Sequence, residues 1–150
     1  FYMGMATLFA GGYMVFDSLS ELKAYVERAM ETSAKRSAEE MLEIMREEIS
    51  HAYSSYSPKV YDRTGDLENT PQVIMADKSG MTTEFMDNGG WYSLVGRTAG
   101  QHFFALEGLE AGTSWGRGAT NIYELSKTRC YAMIPDYYIR CMRALGIPIE

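Results

Sequence analysis

The residues best suited to chemistry are the two histidines, His51 and His102, and the acidic side chains near the first of them. His51 follows Glu47 and Glu48 by four and three residues, a spacing that places all three on one side of a helix. A metal site there would need further ligands at helical spacing, such as a second histidine four residues away, and the sequence has none. We therefore interpret His51 as a surface or interface residue and His102, beside two phenylalanines, as a structural one.

The glycine-rich segment 107–121 is predicted to be a long loop, and long loops in compact domains are often functional. It is not a phosphate-binding loop, because it lacks the Gly-Lys-Ser/Thr ending and a clear strand before it. Trp115 and Arg117 lie within it, and these residue types dominate binding hot spots. They are predicted to contact a partner; alternatively, Trp115 packs over the sheet.

Nothing else in the chain has the arrangement of a catalytic site. Most carboxylates fall on the solvated face of one long helical pattern, and no nucleophile–base pair or metal set can be named. We predict that the protein is not an enzyme and has no catalytic, cofactor-binding or metal-binding residues and no cofactor. Cys130 and Cys141 lack the spacing of a zinc site or a disulfide framework, so we interpret them as buried or half-buried thiols in a reducing compartment.

Charge and composition indicate a soluble globular protein. The net charge of −6 argues against ordinary duplex binding, although it does not exclude a surface past which DNA slides without sticking. A length of 150 residues with 46% apolar side chains suits one domain with one core. The chain has no apolar run of the about 18 residues that a membrane span needs, so no membrane partner is expected.

The elements predicted from periodicity place the chain in the α+β class. Residues 1–16 form an N-terminal arm or a strand, residues 18–56 one long helix that Ser18 and Glu21 open as a capping box, and residues 66–134 a sheet with loops. A short C-terminal helix spans 136–145, capped by Asp136 after Pro135 and ended by Gly146. A break of the long helix near residues 32–33 is the alternative to one continuous helix.

The sheet is predicted to be small and mainly antiparallel. Residues 72–77 and 81–87 form a hairpin around Lys78-Ser79-Gly80, and residues 91–95 form a third strand. Residues 102–106 form a fourth element of undecided type, and residues 122–134 could be a strand or a short helix. Pro71 cannot donate to a ladder, so the first strand is an edge strand or begins later.

The segment between the long helix and the hairpin, which we call the corner, contains residues that end a helix and turn the chain. Pro58 ends the helix, and Gly65 can adopt a positive φ that turns the chain towards the sheet. Thr64 can hold this turn through local hydrogen bonds, Leu67 points into the core, and Arg63 is left to pair with acids. A purely structural role explains all of these features.

The same corner carries a resemblance to a family of known proteins. A long helix followed by Tyr56-Ser57-Pro58, Tyr61, Arg63-Thr64-Gly65 and Leu67 resembles the tail-completion or head–tail joining (neck) proteins of long-tailed bacteriophages. The order of elements after the corner is similar too, with an acidic glycine-rich segment and a C-terminal helix ending in Gly146-Ile147-Pro148. The chain departs from the pattern at Asn69-Thr70-Pro71, where family members often have a serine.

This resemblance implies a structural virion protein that is assembled in the host cytoplasm and completes the tail. Such proteins form homo-oligomeric rings, usually sixfold, that bind the head connector or adaptor on one side and the tail tube or tail terminator on the other. DNA would pass through the lumen without specific binding. The corner residues 61 and 63–67 would then form a motif that touches a neighbouring subunit. The alternatives are another ring component, such as a tail terminator or connector adaptor, and an intracellular protein-binding module.

Overall fold

A computed structural model of the protein describes residues 5–9, 12–54, 67–86 and 121–149. Within these ranges the chain forms two strand pairs and two α-helices. The elements are β1 (Met5–Phe9), β2 (Gly12–Phe16), α1 (Leu19–Ser54), a 3₁₀ helix (Leu67–Asn69), β3 (Pro71–Asp77), β4 (Gly80–Phe85) and α2 (Ile122–Ala144). The long N-terminal helix, the antiparallel hairpin and the C-terminal helix confirm the predicted α+β class.

Helix α1 is one uninterrupted helix of 36 residues, as the absence of Gly and Pro predicted. The Ser18 Oγ accepts a hydrogen bond of 3.1 Å from the backbone N–H of Glu21. The Glu21 carboxylate reaches back to the N–H of Asp17 at 2.9 Å, one residue before the donor that a standard capping box would use. The buried face begins with small side chains and continues with large ones: Ala29, Ser33, Ala34, Ser37, Ala38, Ile44, Met45 and Ile49.

Helix α2 corrects the sequence-based prediction for residues 122–145. It begins at Ile122 and not at 136, so the undecided segment 122–134 is helical, and Pro135 lies inside the helix. Asp136 is therefore not the N-cap; Asn121 occupies that position with φ 52°, a left-handed conformation that asparagine tolerates better than most residues. Pro135 has no N–H to donate to the carbonyl of Tyr131, so α2 lacks one helical hydrogen bond at this point.

The end of α2 agrees with the prediction that Gly146 adopts a left-handed conformation, since its φ is 81°. Its N–H donates to the carbonyl of Arg143 at 2.9 Å, and the N–H of Ile147 donates to the carbonyl of Met142 at 3.0 Å. This pair of bonds is the Schellman motif, which satisfies carbonyls that a helix end would otherwise leave without donors.

The predicted hairpin is present as β3 and β4, joined by the two-residue turn Lys78-Ser79. The carboxylate of Asp77 closes this turn by accepting hydrogen bonds from the N–H of Ser79 at 2.7 Å and from its hydroxyl at 2.5 Å. Val73 pairs with Thr83 and Met75 with Thr82, so Ile74 is the extra residue of a β-bulge. The predicted elements 91–95 and 102–106 lie outside the described residues.

The N-terminal segment forms a second antiparallel pair, in which Met5 faces Phe16 and Phe9 faces Gly12. The segment 1–16, predicted to be an N-terminal arm or a strand, thus contains the two strands β1 and β2. The ring of Phe16 contacts that of Tyr25 in α1, with 5.4 Å between their centroids. The pair is therefore attached to the first turns of α1 through β2.

Helix α2 and the β3–β4 hairpin both pack on helix α1. The hydroxyl of Tyr25 donates to the carbonyl of Leu145 near the start of α1, and Arg129 pairs with Glu48 near its end, so α1 and α2 run antiparallel. The hairpin lies along α1 as well, with its turn tied to α1 by an ion pair. At the open end of the hairpin, Ile49 and Ile122 form the core cluster. Ala52, Tyr53 and Phe85 pack against this cluster. Neither described helix is long and apolar enough to cross a membrane.

The small-residue face of α1 buries hydroxyl groups that make no hydrogen bond. The Oγ atoms of Ser33 and Ser37 are completely buried and have no partner, and an unsatisfied buried hydroxyl costs about 1–3 kcal/mol. We expect Ser37→Ala to raise the free energy of unfolding by about 1 kcal/mol more than Ser50→Ala, an exposed change in the same helix that reports helix propensity alone. Urea denaturation of both variants checks this, and a less stable Ser37→Ala protein would contradict it.

Candidate assembly surfaces

The residues singled out in the sequence fall mostly outside the described part of the chain. Leu67 is the exception: it begins the 3₁₀ helix Leu67–Asn69, which only Thr70 separates from β3, the strand to which the corner was expected to lead. The interface roles predicted for this corner and for the glycine-rich loop stay predictions. The residues outside the described ranges are Tyr61, Arg63, Thr64, Gly65, Asp66, Trp115 and Arg117.

An ionic cluster that the sequence did not reveal joins the two helices. The Arg129 guanidinium donates from Nη1 to the Glu48 carboxylate at 2.5 Å and from Nη2 to Glu47 at 2.6 Å. The side chain of Glu48 is only 8% exposed, whereas that of Glu47 is 55% exposed. The hydrogen bond to Glu48, and to a smaller extent the one to Glu47, raises the pKa of Arg129 above its usual value. The cluster binds the first half of α2 to the last turns of α1.

His51 stands at the edge of this cluster. Its Nδ1 lies 3.8 Å from the Glu48 carboxylate, and its side chain is largely exposed, which fits the interpretation of a surface residue. In the described ranges, no three His, Cys, Asp or Glu side chains are placed to hold a metal ion together. His102 lies outside these ranges.

The two cysteines are free and occupy α2. Cys141 is buried and Cys130 half-buried, as predicted for buried or half-buried thiols. Burial raises the pKa of the Cys130 thiol, although the charge of Arg129 beside it acts in the opposite direction. The neutral thiol is therefore the dominant form of Cys130 near neutral pH, and a neutral thiol is a poor nucleophile.

One side of the hairpin packs on the core at its open end, with Val73 on that side still 40% exposed, and the other side faces solvent. Pro71 is buried, and its cross-strand partner Phe85 packs on the core cluster, so this pair marks the inner side. Residues on the outer side alternate with these along the strands and pair across them. We call the outer side the hairpin face; it consists of Gln72, Ile74, Met75, Asp77, Thr82 and Glu84.

The hairpin face combines apolar and acidic side chains. Ile74 is 50% and Met75 38% exposed, and the bulge places these two successive residues on the same side of the strand. Glu84 and Asp77 lie at its two ends. The hydrogen bond from the Ser79 hydroxyl, and to a smaller extent the one from the Ser79 N–H, lowers the pKa of Asp77, so this carboxylate is charged at neutral pH. Lys78, the basic residue of the turn, is held at 3.0 Å from Glu27 of α1.

A second exposed surface runs along the first half of α2. Tyr123, Lys127 and Tyr131 are spaced four residues apart, so they form one row on the helix, which we call the tyrosine stripe. Tyr131 is 74% exposed. The ammonium of Lys127 lies 6.0 Å from the centre of the Tyr123 ring, a cation–π distance. Tyr123 also contacts Phe85, with 6.4 Å between ring centroids, so the stripe begins beside the open end of the hairpin.

Comparison with family models matches the N-terminal part of the chain. Residues 18–99, which include α1, the corner and the hairpin, match a family model described as YomN, a family derived from a gene of Bacillus phage SPBc2. No curated protein and no solved structure matches the chain significantly. The matched segment is more than half of the chain and contains the hairpin face, whereas the tyrosine stripe lies beyond it.

Proposed function

The chain belongs to the YomN family, which indicates a phage-encoded protein, and we propose that it is a structural protein of a tailed-phage particle. Its place would be the neck, where a ring of copies completes the tail and joins it to the head connector. The ring would let DNA pass without binding a specific sequence. The protein would act by binding its neighbours and not by catalysis.

The observation that carries this proposal is the exposed apolar surface on elements that already have a packed inner side. Ile74 and Met75 on the hairpin and Tyr131 on α2 are turned outward, although other side chains of the same elements pack on α1. Exposed apolar residues that lie close together mark sites of protein–protein contact. A subunit that is buried by neighbours on several sides would use such surfaces, as a ring component of a particle must.

Charge supports the expected passage of DNA. The chain has 20 acidic and 14 basic side chains, and α1 displays many of the acidic ones on its solvated side. A lumen with net negative charge repels phosphates, so the genome would meet no strong binding site. The partners proposed on the two sides of the ring are the head connector or adaptor and the tail tube or tail terminator, with six copies as the expected number.

Electron microscopy of a lysate from a phage or prophage that lacks this gene tests the proposal. Filled heads beside separate, unjoined tails are the expected result, and a plasmid copy of the gene should restore joined particles. Normal infectious particles would overturn the neck function and favour an intracellular binding module. Heads joined to tails of abnormal length would point to a tail terminator instead.

A further inference from the structure

We propose that neighbouring copies of this chain bind head to tail, with the tyrosine stripe of one copy packed on the hairpin face of the next. The inference rests on the proposed ring, because it names the two surfaces that would close it. A ring needs two different surfaces on each subunit, since a contact between identical patches gives a closed pair. The hairpin face and the tyrosine stripe are two such surfaces.

Both surfaces face away from the core of their own subunit. The hairpin uses Phe85 and its neighbours to pack inward, and α2 uses Ile122 and Arg129 to bind α1. The hairpin face and the tyrosine stripe are therefore on the sides that these contacts leave exposed. Binding a second copy would bury them without rearranging the subunit.

The two surfaces match in size and in residue type. Eight residues of helix separate Tyr123 from Tyr131, about 12 Å at 1.5 Å per residue. Five residues of strand separate Gln72 from Asp77, about 16 Å at 3.3 Å per residue, so the hairpin face is long enough to take the whole stripe. Tyrosine rings bury large apolar areas and keep a hydroxyl for hydrogen bonds at the rim. Ile74 and Met75 supply the apolar surface on which such rings can lie.

The charges are complementary as well. The hairpin face has acidic Asp77 and Glu84 and no basic residue, whereas Lys127 lies in the middle of the tyrosine stripe. Glu124 of the same helix lies 4.0 Å from the Lys127 ammonium, but both side chains are exposed, so solvent screens this pair and Lys127 can still bind a carboxylate of a second copy. The segment around the hairpin face is acidic too, since residues 67–86 have three acidic and one basic side chain. Like surfaces would repel each other and unlike ones attract, which favours the head-to-tail arrangement over a symmetric pair.

Mixing two assembly-blocked variants of the full chain tests this arrangement. Ile74→Arg disables only the hairpin face, and Tyr131→Arg disables only the tyrosine stripe. Each variant alone should self-associate about a hundredfold more weakly than the wild type, as measured by light scattering after size-exclusion chromatography. Mixed in equal amounts, the two should form a one-to-one dimer and nothing larger, because the mixture contains one intact hairpin face and one intact stripe per pair.

Leu125→Arg is the matched control, since Leu125 is exposed on another side of α2, and it should assemble like the wild type. Circular dichroism must show that every variant is folded. Variants that assemble like the wild type, a mixture that stays monomeric, or a wild type that is monomeric at the highest attainable concentration would overturn the head-to-tail contact.

The failure of this inference can be distinguished from the failure of the proposed function. If the gene deletion leaves unjoined heads and tails but the mixed variants do not pair, the neck function stands and the surfaces are wrong. If the mixed variants pair but the deletion gives normal particles, the contact stands and the neck function is wrong.

Discussion

Replacing Ile49 with alanine is expected to lower the free energy of unfolding by about 4 kcal/mol, the upper range for deleting a buried branched side chain. Ile49 is completely buried and, with Ile122, forms the cluster on which Phe85 packs. Its side chain therefore touches the point where α1, α2 and the hairpin meet. Truncation leaves a cavity that three elements must each move to fill. Denaturation in guanidinium, followed by circular dichroism, measures the loss.

Ile74→Ala is the matched control for this change, because it removes the same atoms from a half-exposed position. We expect it to cost less than about 1 kcal/mol in the free subunit. The difference between the two losses of unfolding free energy gives the contribution of burying Ile49 in the core, because both variants remove the same atoms. Equal losses would mean that Ile49 is not the junction of the three elements.

The elements that the sequence predicts well are those whose local signals agree with their packing. Helix α1 has a capping box at Ser18 and Glu21, an apolar face and no internal Gly or Pro, so each signal gives the same result. The β3–β4 hairpin likewise follows from two apolar segments around Lys78-Ser79-Gly80. In both cases the tertiary contacts reinforce what a few neighbouring residues already favour.

Helix α2 could not be predicted from local rules, because Pro135 normally ends or starts a helix. Packing on α1 overrides that preference by burying side chains on both sides of the proline. The signal that could have revealed the helix is a four-residue spacing that runs through the proline: Ile122, Ser126, Cys130, Ile134 and Tyr138 are buried or half-buried. The sequence left strand and helix undecided for 122–134, because over any five or six residues this spacing is compatible with either structure.

The candidate surfaces were missed for the same reason. Tyr123, Lys127 and Tyr131 form a row only when the segment is helical, and Arg129 reaches Glu48 only when α2 packs antiparallel to α1. On the hairpin, strict alternation would place Ile74 and Met75 on opposite faces. The bulge changes this register, and its position depends on pairing with β4 rather than on the sequence of β3 alone.

Replacing Arg129 with methionine is expected to lower the free energy of unfolding by about 3 kcal/mol. The change leaves the Glu48 carboxylate buried without its guanidinium, and removing one partner of a buried pair costs about 3–5 kcal/mol. The lower end applies because the Arg129 side chain is 32% exposed, so water screens part of the charge. Chemical denaturation at neutral pH provides the measurement.

Lys35→Met is the control for the Arg129 substitution, because Lys35 also lies 2.6 Å from a glutamate, Glu31, but both side chains are exposed. It should cost less than about 0.5 kcal/mol. The double change Arg129→Met with Glu48→Leu should recover most of the loss, since two apolar side chains replace the buried pair. A double variant as unstable as Arg129→Met would show that the methionine, and not the uncompensated carboxylate, is the cause. Because Arg129 lies two residues before Tyr131, the recovered variant also tests whether α2 needs this cluster to present the tyrosine stripe.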